Sequence, residues 1–502
     1  MHSSPLRCHH DSPLRHNLRV IAAPGVVLGT SFAASLQFVL LTPFLVALGV
    51  SRTVASVIWL VGPLTGLIVQ PLVGVISDEY HKKHATRLPI VLVSASILIA
   101  SHIAVAFTGA ISDYLSVSPV LFLVVSFWIF DSANNAITVT SRAMLSDRFA
   151  KEERPRAFSI QQFWASLGSI MGYLTAQVDW SGGETPNDPS DSLSSSVFYC
   201  FVISSIVVSV GTLMSFISVY EKRACRMRNH GPHTGESFQF QKMCINPTLV
   251  SIMAGSALSW FGWFAQQIYQ SDFISAEIVT SMDESMTGVQ ASAFGLLISS
   301  GLSCLFGLSI PFLLTYTGSE SFTLFRLWSI SCLLQGTVLV ASLLVMTVPG
   351  AIIWEAATGP MFAVACTIPY MLVANGCDHG SSGRVMAVVN VAVCFPQLIV
   401  SAIGGLVIES TKTNTAMFIA GGVLCTIAGR ILWVPQGFDV PPLSEKSTAS
   451  ILASTSDLLS YQEFENVFET RIPEFRVRGL SSPRFKEPLL LPLLPNTVDS
   501  QE

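Results

Sequence analysis

Residues 127–147 read FWIFDSANNAITVTSRAMLSD, an apolar helix sequence into which ionisable and amide side chains are set. Asp131 and Arg142 are eleven residues apart, which at about 100° per residue puts them within about 20° of each other on one helix face. Asn135 lies one turn from Asp131 on that face, and Asn134 lies nearby. Because charged groups are costly in lipid, we expect this face to border a wet cavity.

The composition indicates a membrane protein. Half of the 502 residues are hydrophobic and only 12% are charged, and the mean hydropathy is +0.56. Soluble domains carry about 25% charged residues, which cover their surface. A surface that faces lipid does not need that charge, so we expect a chain embedded in the bilayer, without a nucleic-acid partner.

Twelve apolar segments are long enough to cross a bilayer core, which takes about 20 helical residues. We predict an all-α membrane protein with spans near 20–48, 53–77, 88–109, 117–143, 158–178, 196–219, 246–270, 288–315, 324–346, 349–374, 384–409 and 415–434.

Lysines and arginines gather in the loops on one side of these spans, while the other side has only Arg52 and Lys412. Because cytoplasmic loops carry the excess of basic residues, both termini are expected in the cytosol. The loop at 220–245 divides the spans six and six, the layout of two related halves with a substrate site between them. The predicted organisation is a cytosolic tail (1–19), a six-helix bundle (20–219), a cytosolic linker (220–245), a second six-helix bundle (246–434) and a mostly disordered cytosolic tail (435–502).

The seventh span contains a second group of candidates, in SWFGWFAQQIYQSDFISAEI at 259–278. Trp263 offers an aromatic face to the C–H face of a sugar ring, and Gln267 offers amide hydrogen bonds to hydroxyls. Asp272 and Glu277 follow at the predicted outer end. The alternative for the aromatic side chains is interface anchoring, which tryptophan and tyrosine favour in any membrane protein.

Asp131 has the properties of a proton acceptor with Arg142 as its cationic partner. Burial would favour the protonated carboxyl, and a nearby arginine would favour the carboxylate. A fixed salt bridge between helices is the alternative. Gln37 in the first span and Asn390 in the eleventh are further polar candidates.

Other chemistries find little support in the sequence. The ten cysteines are scattered, without a CxxC motif, so we predict neither a metal site nor disulfides. No nucleophile elbow, metal-ligand cluster or phosphate loop is present, which argues against an enzyme. No cofactor is expected. The proton is the expected coupling ion, and sodium is the less favoured alternative because no second carboxylate clearly joins Asp131.

Five stretches carry a family resemblance. They are 128–147, LQFVLLTPFLVALGV (36–50), IWLVGPLTGLIVQPLVGVISD (58–78), LSWFGWFAQQIYQSDFISAEI (258–278) and VVNVAVCFPQLIVSAIGG (388–405). With them the chain resembles the plant-type sucrose/proton symporters of the glycoside–pentoside–hexuronide:cation symporter group, within the major facilitator superfamily, as a distant non-plant member. The resemblance implies a twelve-helix major facilitator fold, alternating access, and co-transport of sucrose with protons.

The resemblance also implies roles for individual residues. Asp131 matches the family's proton-binding and sugar-contacting aspartate, and Arg142 the arginine of sugar binding and coupling. Asp272 and Glu277 match the acidic pair of the seventh span. The chain departs from the family pattern at four places. It has TVTSRA at 138–143 where plant members usually have QGPCRA, Ala276 and Glu79 where they have arginines, and Arg52 where they often have a histidine. The loss of the arginine at Glu79 is expected to weaken the pattern of loop charges involved in gating.

The function expected from residues and resemblance together is proton-coupled symport of sucrose or a related glucoside, by a multi-pass monomer in the lipid bilayer. Alternatives are the same fold carrying maltose, a hexose or another small solute, and a sugar sensor that does not transport. We expect the plasma membrane, with a vacuolar or other internal membrane as the alternative.

Overall fold

The computed structural model describes residues 13–51, 58–178, 180, 189–220, 247–279, 288–315, 320–376 and 381–433. The predictions for residues 1–12 of the N-terminal tail, for the linker after Tyr220, for the tail 435–502 and for Arg52 fall outside these residues. All the described residues belong to the unit Met1–Ser450.

The described chain is helical, and its helices follow the apolar segments of the sequence. The long helices are α1 (Leu14–Ala47, with a turn at 23–25), α2 (Val61–His84), α3 (Leu88–Ala106), α4 (Pro119–Arg148), α5 (Arg154–Gln177), α6 (Pro189–Tyr220), α7 (Pro247–Ile278), α8 (Gly288–Thr315), α9 (Glu320–Val340), α10 (Val348–Asn375), α11 (Ser382–Thr411) and α12 (Thr415–Leu432). A short helix, Thr108–Leu115, precedes α4.

Eleven of these helices are long and apolar enough to cross a membrane. The twelfth, α5, has 24 residues and is about 36 Å long, which is sufficient length. Its sequence is more polar because it carries buried glutamines and serines that face other helices rather than lipid. The predicted fold of twelve helices is therefore confirmed, and the polarity of α5 is a first indication of where the site lies.

Three spans differ from their predicted bounds by about two turns. The span predicted at 53–77 is a helix over Val61–His84. It ends later than predicted because Asp78 is buried in an ion pair with Arg87 and does not end the helix. The span predicted at 196–219 begins at Pro189. The span predicted at 246–270 runs to Ile278, and its last turn, Ile274–Ile278, is π-helical.

The helices pack as two sets of six. Helix α1 packs against α5 and α6, and α3 against α4 and α6, while in the second set α12 packs against α7 and α9, and α8 against α10. The two sets meet mainly where α5 contacts α8 and where α2 contacts α11. This arrangement leaves space between the sets along α1, α4, α5, α7, α8 and α10.

Candidate functional site

Asp131 is the centre of a polar network at the junction of α1, α2 and α4. Its side chain is 7% exposed, and its Oδ2 accepts a hydrogen bond of 3.3 Å from Nε2 of Gln37. One turn later, Nδ2 of Asn135 donates to the Asp131 carbonyl at 2.9 Å and to Oγ1 of Thr65 at 3.1 Å. Gln70 donates to Oδ1 of Asn135 at 2.6 Å. All these partners are neutral, so the network holds the carboxyl group without compensating its charge.

Arg142 is not the ion-pair partner of Asp131. Along one helix, eleven residues correspond to about 16 Å, which is too far for contact. The guanidinium of Arg142 instead lies over the ring of Tyr370 on α10, 3.6 Å from its centroid. The expectation of a carboxylate–guanidinium pair is thus wrong for this conformation, because sharing a helix face does not bring side chains three turns apart together.

A cavity of about 250 Å³ lies between the two sets of helices. Ligand cavities of roughly 300–1,000 Å³ are typical, so this cavity suits a small molecule. Amides, hydroxyls and aromatic rings line it, and Arg142 is the one charged side chain among the described residues of its wall. The lining residues are Val27, Thr30, Ser31, Ala34, Ser35, Phe38, Asn134, Thr138, Arg142, Phe158, Gln161, Gln162, Ala165, Ser166, Ser169, Tyr173, Trp263, Gln266, Gln267, Gln270, Leu296, Ser299, Ser300, Ser303, Thr358, Phe362, Cys366 and Thr367.

Four of the predicted site residues line this cavity: Asn134, Arg142, Trp263 and Gln267. The amide oxygen of Asn134 is buried and has no hydrogen-bond partner, so it is available to a ligand hydroxyl. Trp263 packs edge-on against Phe362, with ring centroids 5.1 Å apart. Such an arrangement can hydrogen-bond a polyol and cover its apolar faces.

Other predicted residues lie near the cavity but not on it. Asp131 shares the face of α4 that carries Asn134 and Arg142, but Gln37 and Gly62 cover it. Asn390 on α11 is buried where α11 meets α2, with its amide donating to Sγ of Cys394 at 3.1 Å. These positions form a layer behind the cavity wall.

The acidic pair at the end of α7 binds the start of α12. Glu277 accepts hydrogen bonds from Oγ1 of Thr413 at 2.6 Å and from the Asn414 backbone amide at 2.5 Å, and Asp272 accepts one from Nδ2 of Asn414 at 2.9 Å. The structure brings neither carboxylate to the cavity wall. Their assignment to substrate binding stays a prediction, and their observed contacts are those of an anchor between α7 and α12.

The polar lining of α5 was missed in the sequence. Gln161 and Gln162 are adjacent amides inside a membrane helix, and Tyr173 follows three turns later; all three border the cavity. Nε2 of Gln162 donates to Oγ of Ser303 on α8 at 3.1 Å, linking the two helix sets. The signal that could have revealed them is the low hydropathy of this span compared with its neighbours.

A buried charge cluster closes the end of the bundle where α2 ends and α11 begins. Arg87 lies between Asp78 and Asp147, with both N–O distances 2.7 Å. Asp78 accepts the Gly383 backbone amide at 2.8 Å, and Asp147 accepts the Ser382 hydroxyl at 2.7 Å. These bonds tie α2 and α4 of the first set to α11 of the second.

The same cluster determines the electrostatics of the loop residue Arg87. Burial lowers the pKa of its guanidinium, but the charges of Asp147 and Asp78 outweigh burial and raise that pKa above its ordinary value. Arg87 therefore stays charged at every pH of interest. Beside it, Arg384 bonds Glu79 across the two helix sets at 2.7 Å. Glu79 therefore takes part in this charge cluster, and its effect on gating stays a prediction.

Comparison with known proteins gives curated relatives that span most of the chain. The chain is similar to a sucrose transport protein, SUT5, of Oryza sativa subsp. indica, with 25% identity over 85% of this chain and 89% of the relative. It is 28% identical to a second, SUT2 of the same subspecies, over 78% and 86% of the two chains.

Solved structures show the same fold at low identity. The proton:xylose symporter XylE, bound to 6-bromo-6-deoxy-D-glucose, has a TM-score of 0.59 and 14% identity over 89% of this chain and all of that one. A variant of the E. coli fucose:proton symporter FucP has a TM-score of 0.59 and 11% identity over 83% and 98% of the two chains. The family model described as Major Facilitator Superfamily matches residues 25–401. That match covers most of the chain and agrees with the two six-helix sets around a central cavity, so this protein belongs to the Major Facilitator Superfamily and is a multi-pass membrane transporter rather than an enzyme.

Proposed function

We propose that this transporter carries sucrose or a closely related glucoside together with protons, by alternating access of the central cavity. The observation that carries the proposal is the environment of Asp131, a buried carboxyl group with a neutral side-chain partner, Gln37, directly behind a cavity built of amides, hydroxyls and rings. The names of the plant relatives and the sugar symporters of the same fold support the same cargo class.

The chemistry of the cavity suits a neutral polyol. Amides such as Gln161 and Gln267 both donate and accept, matching the dual character of sugar hydroxyls. Trp263 and Phe362 supply rings for the apolar faces of a pyranose. Arg142 supplies five donors in a fixed fork, which can bind two vicinal hydroxyl oxygens at once.

The environment of Asp131 supplies the coupling. An ionised carboxylate in a dry interior without a cation is strongly disfavoured, so the proton is bound whenever the site is sealed. In the open state, water can solvate the carboxylate and accept the proton. Sugar and proton then cross together, because the occluded carrier moves readily only when Asp131 is neutral.

The energy available is sufficient for accumulation. One proton moving through about 100 mV provides about 2.3 kcal/mol, and one pH unit adds about 1.4 kcal/mol. Because about 1.4 kcal/mol corresponds to a factor of ten, the sum supports a sugar gradient of several hundredfold. We place both termini in the cytosol and the carrier in the plasma membrane.

The test is expression in a cell without its own sugar uptake, with proton entry recorded on addition of sucrose. Proton entry that accompanies labelled sucrose uptake is the expected result. Uptake without proton movement would contradict coupling, and binding without uptake would favour a sensor. Competition by maltose and glucose defines the sugar.

A further inference from the structure

A second buried carboxyl group, Glu355, lies in the other six-helix set, and the proposed function does not use it. Glu355 is on α10 and is 0% exposed. The Ser292 hydroxyl of α8 donates to its Oε1 at 3.1 Å, while its Oε2 is buried without a hydrogen-bond partner. The side chain is therefore half-satisfied.

The surroundings of Glu355 contain no compensating cation among the described residues. The segment Val348–Ala356 packs against α8, against the π-helical end of α7, and against the 3₁₀ turn Ala341–Leu344. Of these elements, α8 and the turn contribute no charged side chain there. The end of α7 contributes Asp272 and Glu277, which are themselves acidic and bind Asn414.

A titratable group of the opposite helix set, Tyr173 of α5, is near enough to Glu355 for its carboxylate charge to act on the phenol. Tyr173 also lines the cavity. Thr358, one turn after Glu355, also lines the cavity. Glu355 thus lies directly behind the cavity wall, as Asp131 does on the other side.

The fold makes room for this carboxyl group. A Cβ added at Gly295 of α8 would overlap Oε2 of Glu355, so a residue larger than glycine there would displace the carboxyl. In the first set, a glycine also lies next to the carboxyl group, although less closely: a Cβ added at Gly62 of α2 would be in ordinary contact with Oδ2 of Asp131, at 3.8 Å. In each set, the carboxyl group follows an aromatic residue on the fourth helix and faces a glycine of the second.

We propose that Glu355 is a second proton-binding site of this carrier, so that each half of the transporter loads and releases one proton per cycle. This inference rests on the proposed function and deepens it. The physical reason is the same as for Asp131: a carboxylate buried without a cation is disfavoured, whereas the neutral acid needs no compensating charge. The proton is taken from hydronium when water reaches the site and is returned to water on the other side.

The direct test is infrared difference spectroscopy of the purified full chain in nanodiscs, stepped from low to high pH without sugar. The carboxylic C=O band of the protonated acids should lose one component in Glu355→Gln and a different component in Asp131→Asn. The matched control is Glu409→Gln, since Glu409 is exposed on α11 and its substitution should leave the band unchanged. A wild-type band in Glu355→Gln would overturn the proposal.

The functional test is the ratio of charge to sugar in voltage-clamped cells. We expect two charges per sucrose in the wild type and one in Glu355→Gln, which is isosteric with the protonated acid. Gly295→Ala, which displaces the carboxyl by crowding, should also lower the ratio. A ratio of one in both wild type and Glu355→Gln would overturn the second site but leave coupling by Asp131 intact. Absence of any sucrose-dependent current would contradict the proposed function instead, and the infrared result would still decide Glu355.

Discussion

Nε2 of Gln37 on α1 lies 3.3 Å from Oδ2 of Asp131 on α4, and this hydrogen bond ties the buried carboxyl group to a neighbouring helix. A donor to a carboxylate stabilises its charged form. Gln37 therefore helps Asp131 to release its proton, and the amide and the carboxyl act as one unit.

Replacing Gln37 by leucine should move the pH dependence of sucrose uptake toward higher pH. Without the donor the charged carboxylate is less stable, so the proton is retained to higher pH. A hydrogen bond to a charged group is worth about 1.5–3 kcal/mol, which corresponds to a shift of about one pH unit or more. Gln70→Leu is the control, because Gln70 bonds Asn135 and not the carboxyl; a shift toward lower pH in Gln37→Leu would contradict the assignment.

Asp131→Asn should abolish proton-driven accumulation of sucrose while leaving exchange of labelled for unlabelled sugar. The amide preserves the size of the side chain and is permanently neutral, so the carrier can still cross with sugar. Asp113→Asn is the matched control, since Asp113 is exposed on the short helix before α4. Undiminished pH-dependent accumulation by Asp131→Asn would remove its central role.

Arg142→Lys should weaken sucrose binding by about ten- to a hundredfold. A lysine keeps the charge but loses the planar fork that donates two bonds and stacks on Tyr370, a loss of about 1.5–3 kcal/mol. Arg326 is also stacked on a ring, that of Trp433 at 3.5 Å, and it is not part of the cavity wall. Arg326→Lys should therefore bind sucrose like the wild type, and equal affinities for all three proteins would count against Arg142.

The bond between Glu79 and Arg384 should stabilise the conformation in which this end of the bundle is closed. Glu79 is one-third exposed, and pairs that reach solvent contribute at most about 1 kcal/mol. A double-mutant cycle with Glu79→Gln and Arg384→Gln should therefore give a coupling energy that is measurable but below about 1 kcal/mol. The measurement is labelling of a cysteine introduced near Gly383, which reports opening. Additive single effects would show that the two side chains act independently.

Glu277→Gln should lower the thermal stability of the carrier with little change in sucrose affinity. The carboxylate accepts bonds from Thr413 and Asn414, and weakening these charged hydrogen bonds should cost about 1–3 kcal/mol. Melting in detergent and sucrose binding are measured on the same sample. An unchanged melting temperature with reduced affinity would instead favour the substrate-binding role inferred from family resemblance.

Much of the site could be predicted because a membrane makes polar residues conspicuous. Asn134, Arg142, Trp263 and Gln267 are polar or aromatic interruptions of apolar spans, and all four line the cavity. Glu355 is also an ionisable residue within an apolar span, the one predicted at 349–374, but no recognisable motif surrounds it. Only the structure shows its unpaired oxygen and the glycine opposite it.

Other features depend on contacts between distant parts of the chain. From the sequence, Glu79 is interpreted only as the loss of a positive charge. The structure shows that its partner is Arg384, 305 residues later. Asp272 and Glu277 resemble substrate-binding residues in the sequence. The structure shows that their carboxylates accept hydrogen bonds from the start of α12.

The sequence by itself determined the membrane environment, the number of helices and the polar face of α4, because apolar length and helical periodicity are local properties. Only the tertiary structure decided that Asp131 bonds Gln37 rather than Arg142, and that Glu355 faces Gly295. Pairing between helices depends on their depth and approach in the bundle, and a linear pattern does not contain that information.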